Sequence, residues 1–402
     1  MYISITTINI KRLPTDDFPT RDGTLIFDFV CEWEANDNWR NLTNKAKIKL
    51  PKNIYCIDRN GRTFPLGNIN TPLSGFEGIP SFLRGDEVQI ISGYRYDQDN
   101  QEITDTTVKF EGFITKVSSK SPFELECEDN MWILKQTPAK GGDNGVFAYK
   151  KYNVEDMIRE LFKNAGLSFT VNALTKTNIG IDFRINNNTI AQVLEELRKQ
   201  HYMFAYFRGN ELRIGSEVYI DSEARTHKFA FQKNIIDDDL VYKRKDDIVL
   251  SALASSTNKV LKGGTTRDGH AKTKTEKLEV LATYQNGKFR AQVKLPGSHL
   301  EFAENTEGER HEFYYNNITD PNILIAEAKA QLKQYYYDGF RGKFTVFGIP
   351  HVKHGDNVVI EDDTIKDRVG TYKVKSVEYS GGVNGMRQVI ELDYRINLIN
   401  NG

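Results

Sequence analysis

Alternating hydrophobic and polar residues predict that the first 145 residues are almost entirely β-strand. Apolar residues at every second position share one face of a strand, and that face packs into a core. The predicted strands are Tyr2–Ile10, Leu25–Glu34, Ala46–Leu50, Glu87–Tyr96, Thr107–Ser118 and Phe123–Glu128. Five or six strands suffice for a small β-barrel. A glycine-rich cluster at residues 141–145 predicts where this first domain, residues 1–145, ends.

A helical spacing of apolar residues replaces the alternation in the next segment. One predicted helix carries Val154, Met157, Ile158, Leu161 and Phe162 on a single face and ends at Gly166. Thr189 is the predicted N-cap of a second helix, which is followed by a hairpin over residues 202–214. Residues 146–235 are therefore predicted to form a small α+β module.

The remaining segment, residues 236–402, returns to a β pattern that one helix interrupts. Hydrophobic residues become scarce across Asn258–Lys277, which predicts a mobile insertion projecting from the scaffold. Asn286 and Gly287 predict a tight hairpin turn. Asp320 and Pro321 predict the start of a helix. The predicted inner face of this helix comprises Ile323, Ala326, Ala330 and Leu332.

A Gly-Asp turn followed by an alternating strand occurs twice, at Gly85-Asp86 and at Gly355-Asp356. Glycine supplies the positive φ of a tight turn, and the aspartate can accept hydrogen bonds from nearby backbone. Each copy is followed by a strand that begins with glycine, at Gly112 and Gly370, and then by an acidic alternating strand. The pattern predicts a duplicated β-unit with these four turn residues as its structural motif. Chance recurrence of a common turn is the alternative.

Composition places the chain among soluble globular proteins, with 39% hydrophobic and 27% charged residues. Its 54 basic and 55 acidic residues give a net charge of -1, so no general attraction to nucleic acid or an anionic membrane is expected. No apolar stretch approaches the length of a membrane span, and the first residues do not resemble a signal peptide. Cys31, Cys56 and Cys127 lack the spacing of a zinc site or a disulfide framework. Proteins are therefore the expected partners.

A cell-wall hydrolase is one alternative, since paired carboxylates could act as acid and base. The densest acidic cluster is Glu111, Glu124, Glu126, Glu128 and Asp129. Three of these share one strand face, which is more typical of a solvated stripe than of a catalytic pair. His351 and His354 flank a turn without further ligands at zinc spacing. No catalytic, cofactor-binding or metal-binding residue is predicted, and no cofactor is expected.

The order of the elements resembles that of phage tail baseplate-hub proteins, including the late control protein D group and the hub part of type VI secretion spike proteins. Residues 348–360, which contain the second Gly-Asp turn, look like part of the second barrel of that family. Residues 110–117 together with 127–134 look like the close of its first barrel. The resemblance covers nearly the whole chain, and the segment 258–277 departs from it.

The resemblance implies a mainly β fold with an α+β insertion, in which two tail-tube-like β-barrel domains are joined by the small α+β module. It implies a homotrimer whose six barrels form a ring between a six-fold tail tube and a three-fold spike. The implied partners are a tail tube or distal tail protein and a separate spike or tip protein, with the tape measure and baseplate wedge proteins as further candidates. The protein would then belong to the tail or baseplate of a virion assembled in the host cytoplasm. The chain ends soon after Asn397–Asn400, so a spike or lysozyme domain is expected on another protein.

A receptor- or glycan-binding tail-tip protein is the second alternative. The tripeptide Arg84-Gly85-Asp86 matches an adhesion motif, but its Gly-Asp recurs at position 355 without the arginine, so we interpret it as part of the turn. The tyrosine run at residues 335–337 would suit a glycan, yet it is predicted to be helical and packed. Binding of the isolated chain to cells or glycans would favour this alternative.

Overall fold

The computed structural model describes residues 2–21, 23–51, 54–57, 63–65, 80–99, 101–118, 122–140, 147–148, 153–173, 184–185, 188–201, 203–215, 224–265, 271–302, 308–316, 318–365 and 369–396. The glycine-rich boundary at residues 141–145 lies outside them. Within the described residues the chain is mainly β.

The strands of the first part of the chain are β1 Ile3–Lys11, β2 Thr24–Phe27, β3 Glu32–Asn38, β4 Lys45–Leu50, β5 Tyr55–Ile57, β6 Thr63–Pro65, β7 Glu87–Gln98, β8 Gln101–Ser118 and β9 Phe123–Glu128. The middle part comprises α1 Met131–Gln136, β10 Phe147–Ala148, α2 Val154–Ala165, β11 Thr170–Ala173, β12 Arg184–Ile185, α3 Ile190–His201, β13 Phe204–Arg208 and β14 Glu211–Gly215.

The last part begins with β15 Thr226–Ala230, β16 Ile235–Asp238, β17 Val241–Lys243 and a short 3₁₀ turn at Lys245–Asp247. It continues with β18 Val249–Thr265, β19 Ala271–Gln285, β20 Lys288–Lys294, β21 Glu309–Asn316 and α4 Pro321–Tyr335. The final strands are β22 Gly339–Arg341, β23 Lys343–Phe347, β24 Asn357–Glu361, β25 Gly370–Gly382 and β26 Arg387–Ile396. No helix in the described part of the chain is long and apolar enough to span a membrane.

The largest sheet in the described residues joins both ends of the chain. Its strand order is β16-β23-β26-β25-β3-β4-β9-β8-β7-β1-β2, and β24 and β15 extend it beside β25. Side chains from both ends, including Ile8, Trp33, Phe344 and Val377, fill one hydrophobic core. The mainly β fold is confirmed, but the prediction of two separate barrels is wrong for the described strands, where no sheet closes on itself. The reason is that β3 pairs with β25 and so carries the hydrogen-bond ladder from one predicted barrel into the other.

The α+β module has its own core of helices on a three-stranded sheet, β11-β14-β13. Asn153 caps α2 by accepting a hydrogen bond from the Glu155 backbone N–H at 2.8 Å, and Gly166 ends the helix with a φ of 70°. Thr189 caps α3, as the sequence predicts, and Gln192 in turn accepts a hydrogen bond from the Thr189 backbone N–H. Met131 of α1, which precedes the predicted module, is also part of this core. β15, which was predicted to belong to the module, pairs instead with β24 in the large sheet.

A third core lies between α4 and the four-stranded sheet β20-β19-β18-β21. The described parts of the segment predicted to be a mobile insertion belong to the paired strands β18 and β19, in which Asn258 pairs with Glu276 and Leu261 pairs with Thr273. Residues 266–270 of the segment lie outside the described residues. These strands can carry few apolar residues because their backbone N–H and C=O groups are satisfied by pairing with each other. Asn286 and Gly287 form the predicted tight turn with φ values of 51° and 70°.

Helix α4 begins at the predicted place, since Asp320 accepts a hydrogen bond from the Asn322 backbone N–H at 2.8 Å. Its predicted inner face is wrong except at Leu332. The buried side chains are Leu324, Ala328 and Leu332, while Ile323 is 52% exposed and Ala326 and Ala330 also face solvent. The buried residues recur at a four-residue spacing and so form the ridge of the helix that meets the sheet. Tyr335 ends the helix, and Tyr336 and Tyr337 follow it, packed against neighbouring cores.

Candidate functional site at the junction of the two repeats

The two Gly-Asp turns belong to matching sets of strands. The first set has the order β4-β9-β8-β7-β1 and the second has the order β23-β26-β25-β24-β15. All neighbours in both sets are antiparallel except that β15 runs parallel to β24. The agreement in strand order supports duplication of one β-unit and disfavours chance recurrence of a turn.

The turns make the same backbone hydrogen bonds. Gly85 N–H donates to the Ile114 carbonyl at 2.8 Å, and Ile114 N–H donates to the Asp86 carbonyl at 2.9 Å. Gly355 N–H donates to the Val374 carbonyl and Val374 N–H donates to the Asp356 carbonyl, both at 2.9 Å. The glycines have φ values of 97° and 82°, in the region that side chains disfavour. Ile114 and Val374 are therefore equivalent positions.

Each unit also has an irregularity at the same place. The pairing of β8 with β9 shifts between Ile114 and Lys116, and the pairing of β25 with β26 shifts between Val374 and Ser376. A β-bulge inserts one unpaired residue and increases the local twist. Two shifts at matched positions extend the equivalence beyond the turns themselves.

The Asp86 carboxylate connects the first turn to the chain around it. It accepts backbone hydrogen bonds from Leu83 at 2.8 Å and Leu13 at 3.2 Å, and it forms an ion pair with the buried guanidinium of Arg21. The Asp86 side chain is only 1% exposed. The Arg84-Gly85-Asp86 tripeptide therefore does not present its aspartate to a receptor in this fold.

The Asp356 carboxylate has the same role in the second turn. It accepts backbone hydrogen bonds from Lys353 at 2.9 Å and Arg225 at 3.1 Å, and His227 Nε2 lies 3.1 Å from its Oδ2. Burial opposes ionisation of Asp356, but these hydrogen bonds outweigh it and lower the pKa of the carboxyl below its usual value. An arginine in one unit and a histidine in the other thus occupy comparable positions.

The two units meet where β25 pairs with β3. The ladder runs through seven residue pairs, from Ser376 opposite Asn38 to Gly382 opposite Glu32. Trp33 is fully buried at this junction, and a Cβ on Gly381 would lie 2.5 Å from its Nε1 atom. The absence of a side chain at position 381 is therefore what lets the indole approach the strand.

A polar cluster ties the α+β module to the same junction. His354 Nδ1 lies 2.7 Å from Asp37 Oδ1, and Arg208 of β13 donates to the His354 carbonyl at 3.1 Å. Burial alone would raise the pKa of Asp37, but the charges and hydrogen bonds of His354, together with the charge of Arg208, lower it well below the usual value. The three groups link the first unit, the second unit and the module.

A cavity of about 220 Å³ opens beside this cluster. Its lining includes Asn36, Asp37, Lys109, Asp129, Arg208 and His351. Lys109 Nζ lies 2.9 Å from His351 Nδ1. Burial lowers the pKa of Lys109 to about 7, and burial together with the Lys109 charge lowers the pKa of His351 to about 3. A neutral imidazole at this position can accept the lysine hydrogen bond.

The acidic cluster considered for a hydrolase is occupied by structural contacts. Glu124, Glu126 and Glu128 form ion pairs with Lys47, Lys116 and Lys135 at 2.9, 2.7 and 2.7 Å, respectively. Glu111 accepts a hydrogen bond from Gln89 at 2.7 Å. Asp129 accepts backbone hydrogen bonds from Asn44 and Met131, both at 3.0 Å. These contacts explain the cluster as a charged stripe on paired strands.

Among the described residues, no group of three or more His, Cys, Asp or Glu side chains could hold a metal ion. The residues that organise the junction, Arg21, Asp37, Lys109 and Arg208, were missed by sequence reasoning. Their partners lie 65, 317, 242 and 146 residues away. Only the Gly-Asp recurrence gave a local signal for this region.

Comparison with known proteins gives relatives by structure only. No protein-family model matches the sequence, and no curated protein sequence matches it. A tail protein from Neisseria meningitidis MC58 has a similar structure, with a TM-score of 0.53, 12% identity, and coverage of 98% of this chain and 97% of that one. The predicted resemblance to phage tail proteins is thereby confirmed at the level of the fold.

Two further solved structures are similar over most of their length. The 43 kDa tail protein of prophage MuSo2 from Shewanella oneidensis has a TM-score of 0.49 and 12% identity, with coverage of 96% and 98% of the two chains. An Escherichia coli component of the type VI secretion system has a TM-score of 0.44 and 9% identity, with coverage of 92% and 77%.

Proposed function

We propose that this chain is a structural hub of a phage tail or a related injection machine, and that three copies form a ring of six similar β-units. The observation that carries the proposal is the duplication of one strand set, with matching hydrogen bonds at Gly85-Asp86 and Gly355-Asp356. The shared fold with a tail protein points to the same class of assembly.

Two similar units in each of three chains would let one ring contact both a six-fold and a three-fold partner. A heterologous interface closes into a ring only when its rotation divides a full turn. Three chains with two similar units each would present six nearly equivalent surfaces on one side and three on the other. Such a ring would join a six-fold tail tube or distal tail protein to a separate three-fold spike, within the tail or baseplate of a virion. The tape measure and baseplate wedge proteins are further proposed partners, and host cytoplasm is the proposed place of assembly.

The role is proposed to be non-enzymatic. The carboxylates of Glu124, Glu126 and Glu128 are each paired with a lysine, which disfavours their use as free acids and bases. Purified protein should not degrade peptidoglycan. Degradation that disappears in a Glu128→Gln variant would overturn this part of the proposal.

The oligomeric state is the decisive experiment. Light scattering of the purified full chain should give three times the mass of the chain, and electron micrographs viewed down the axis should show six lobes. A protein that stays monomeric across the accessible concentration range, or that forms rings of another number, would contradict the hub.

A further inference from the structure

The pairing of β25 with β3 covers a strand edge that its equivalent in the first unit leaves open. Beyond the second Gly-Asp turn, Ser376, Val377 and Glu378 pair with Asn38, Asp37 and Asn36. The Val377 side chain is completely buried in the core of the large sheet. Within one chain, the sheet of the first unit therefore continues into the sheet of the second unit through this pairing.

The positions equivalent to Ser376–Glu378 follow from the shared irregularity. Ser376 pairs with Glu391 just after the shift in β25, and Lys116 pairs with Glu126 just after the shift in β8. Residues 116–118 of β8 thus correspond to residues 376–378 of β25. In the described residues, positions 116–118 pair with β9 on one side, and no strand pairs with them on the other. Lys116 is 64% exposed there.

The strand equivalent to β3 follows from the neighbouring strands. Lys47 pairs with Glu126 and Lys343 pairs with Glu391, so Lys47 corresponds to Lys343. Glu34 of β3 lies opposite Lys47, and Asp239 N–H donates to the Lys343 carbonyl at 2.9 Å. Counting along the chain from Glu34 and Asp239 matches residues 32–38 with residues 237–243. The second unit therefore uses β16 and β17 where the first uses β3.

The β16–β17 edge is also open in the described part of the chain. β16 is the last strand of the large sheet, and β17 pairs only with β22. Ile236 is 43% exposed and Val241 is 56% exposed, although both lie on strands. An edge with unpaired backbone groups and exposed apolar side chains is a template for another strand.

From these two open edges we infer that β16–β17 of one copy pairs antiparallel with residues 116–118 of β8 in a second copy. The inference rests on the proposed ring and names its interface. The register repeats the one inside the chain, so Val117 lies opposite Tyr242 and Ser118 lies opposite Val241 of the neighbouring copy. Each copy would pair its β16–β17 edge with one neighbour and its β8 edge with the other neighbour. The contact is therefore head-to-tail, and the ring closes when three chains supply six units.

The two edges carry opposite charges, but the proposed register does not place these charges directly opposite each other. Asp237, Asp238 and Asp239 are all exposed on or beside β16, and the β8 edge carries Lys116. The register places Lys116 opposite Lys243, which alone is unfavourable. Glu126 already binds Lys116 at 2.7 Å and offsets that repulsion.

Cysteine crosslinking of the full chain tests the register. Directly opposed residues of an antiparallel pair have Cβ atoms about 4.5–5.5 Å apart, within reach of a short thiol-specific crosslinker. A variant carrying Ser118→Cys and Val241→Cys should give covalent dimers and trimers on a denaturing gel. Each single variant controls for the three natural cysteines. A third control pairs Val241→Cys with Ile26→Cys, which should not crosslink because Ile26, 68% exposed, lies on β2 at the end of the large sheet opposite to β16.

The outcomes separate this interface from the ring itself. A trimeric mass without crosslinking above the single variants would overturn the proposed interface and leave the hub intact. Crosslinking through Ile26 instead would show that the two sheet ends meet and would also overturn it. A chain that remains monomeric and uncrosslinked at high concentration would overturn both proposals.

Discussion

The guanidinium of Arg21 and the carboxylate of Asp86 form an ion pair in which neither side chain is more than 1% exposed. Arg21 also donates hydrogen bonds to the carbonyls of Leu13, Pro80 and Ser81, each at 3.0 Å. Asp86 accepts hydrogen bonds from the backbone N–H groups of Leu83, just before the turn, and Leu13, in the loop after β1. The pair thus fixes the first Gly-Asp turn against the loop that follows β1.

Removing Arg21 should destabilise the protein strongly. Arg21→Met leaves a buried carboxylate without its counter-charge, and breaking a buried pair in this way costs about 3–5 kcal/mol. The measurement is urea unfolding followed by circular dichroism. An Arg21→Met variant that also carries Asp86→Asn should recover part of the loss, because a neutral amide still accepts a backbone hydrogen bond.

The control for this prediction is an exposed ion pair on the neighbouring strand. Lys11 Nζ lies 2.9 Å from Glu87, and the two side chains are 57% and 43% exposed. Lys11→Met should change the free energy of unfolding by no more than about 1 kcal/mol. Equal effects of Arg21→Met and Lys11→Met would show that burial of the Arg21 pair carries no special energy.

The glycines of both turns should resist substitution by alanine. Each has a positive φ, and a left-handed conformation costs an L-residue roughly 1–2 kcal/mol. Gly355→Ala meets no atom within 4 Å, so its cost is strain alone, whereas a Cβ at Gly85 lies 3.3 Å from Trp132. Unfolding of the two variants should show a loss for both and the larger loss for Gly85→Ala.

Gly263→Ala is the matched control, because that glycine lies in β18 without a positive φ and with open space around it. It should not lower the free energy of unfolding, and a compatible Gly→Ala change raises it by up to about 1 kcal/mol. If Gly355→Ala were as stable as Gly263→Ala, the positive φ would not be what requires glycine in the turn.

Local patterns in the sequence were sufficient to predict most of the strands, the end of α2 at Gly166, the Thr189 N-cap of α3, and the Asn286-Gly287 hairpin. These features depend on residues within a few positions of each other. The repeated Gly-Asp turn was predictable for the same reason. The separate barrels were a wrong prediction because the pairing of Trp33 with Gly381 joins residues that no local pattern relates.

Partners far apart in the chain also explain what was missed in the site. Asp37 contacts His354 because β3 pairs with β25, and no residue pattern near Asp37 in the sequence predicts that pairing. The mobility predicted for the Asn258–Lys277 segment stays a prediction, although its described residues form paired strands. Its polar composition suits either a loop or an exposed hairpin, and only the backbone pairing distinguishes them.

The corrected face of α4 gives a direct test of the third core. Leu324 is fully buried between the helix and its sheet, while Ile323, the adjacent residue, is 52% exposed. Leu324→Ala should lower the free energy of unfolding by about 2–5 kcal/mol through lost burial and a cavity. Ile323→Ala, a comparable truncation one position away, should change it by about 0.5 kcal/mol or less. The reverse order, measured by urea unfolding, would restore the face predicted from the sequence.

The Asp129 carboxyl should make stability fall as pH rises through the mildly acidic range. Burial raises its pKa to about 7, and the nearby charge of Glu128 adds to that effect while Lys135 opposes it. An aspartate in the unfolded chain has a pKa of about 3.9. Between these values the folded state holds one more proton than the unfolded state, so the free energy of unfolding decreases with increasing pH and levels off above about 7.

An Asp129→Asn variant should lack this dependence, because the amide resembles the protonated carboxyl and does not titrate. The measurement is urea unfolding of both proteins at intervals from pH 4 to pH 8, where the stability of the wild type relative to the variant should decline until about pH 7. Asp16→Asn, which removes an exposed carboxylate, controls for the change in net charge. Parallel curves for the wild type and Asp129→Asn would mean that the carboxyl ionises as readily in the fold as in the unfolded chain. In that case its two backbone hydrogen bonds, from Asn44 and Met131, would have to cancel the cost of burial.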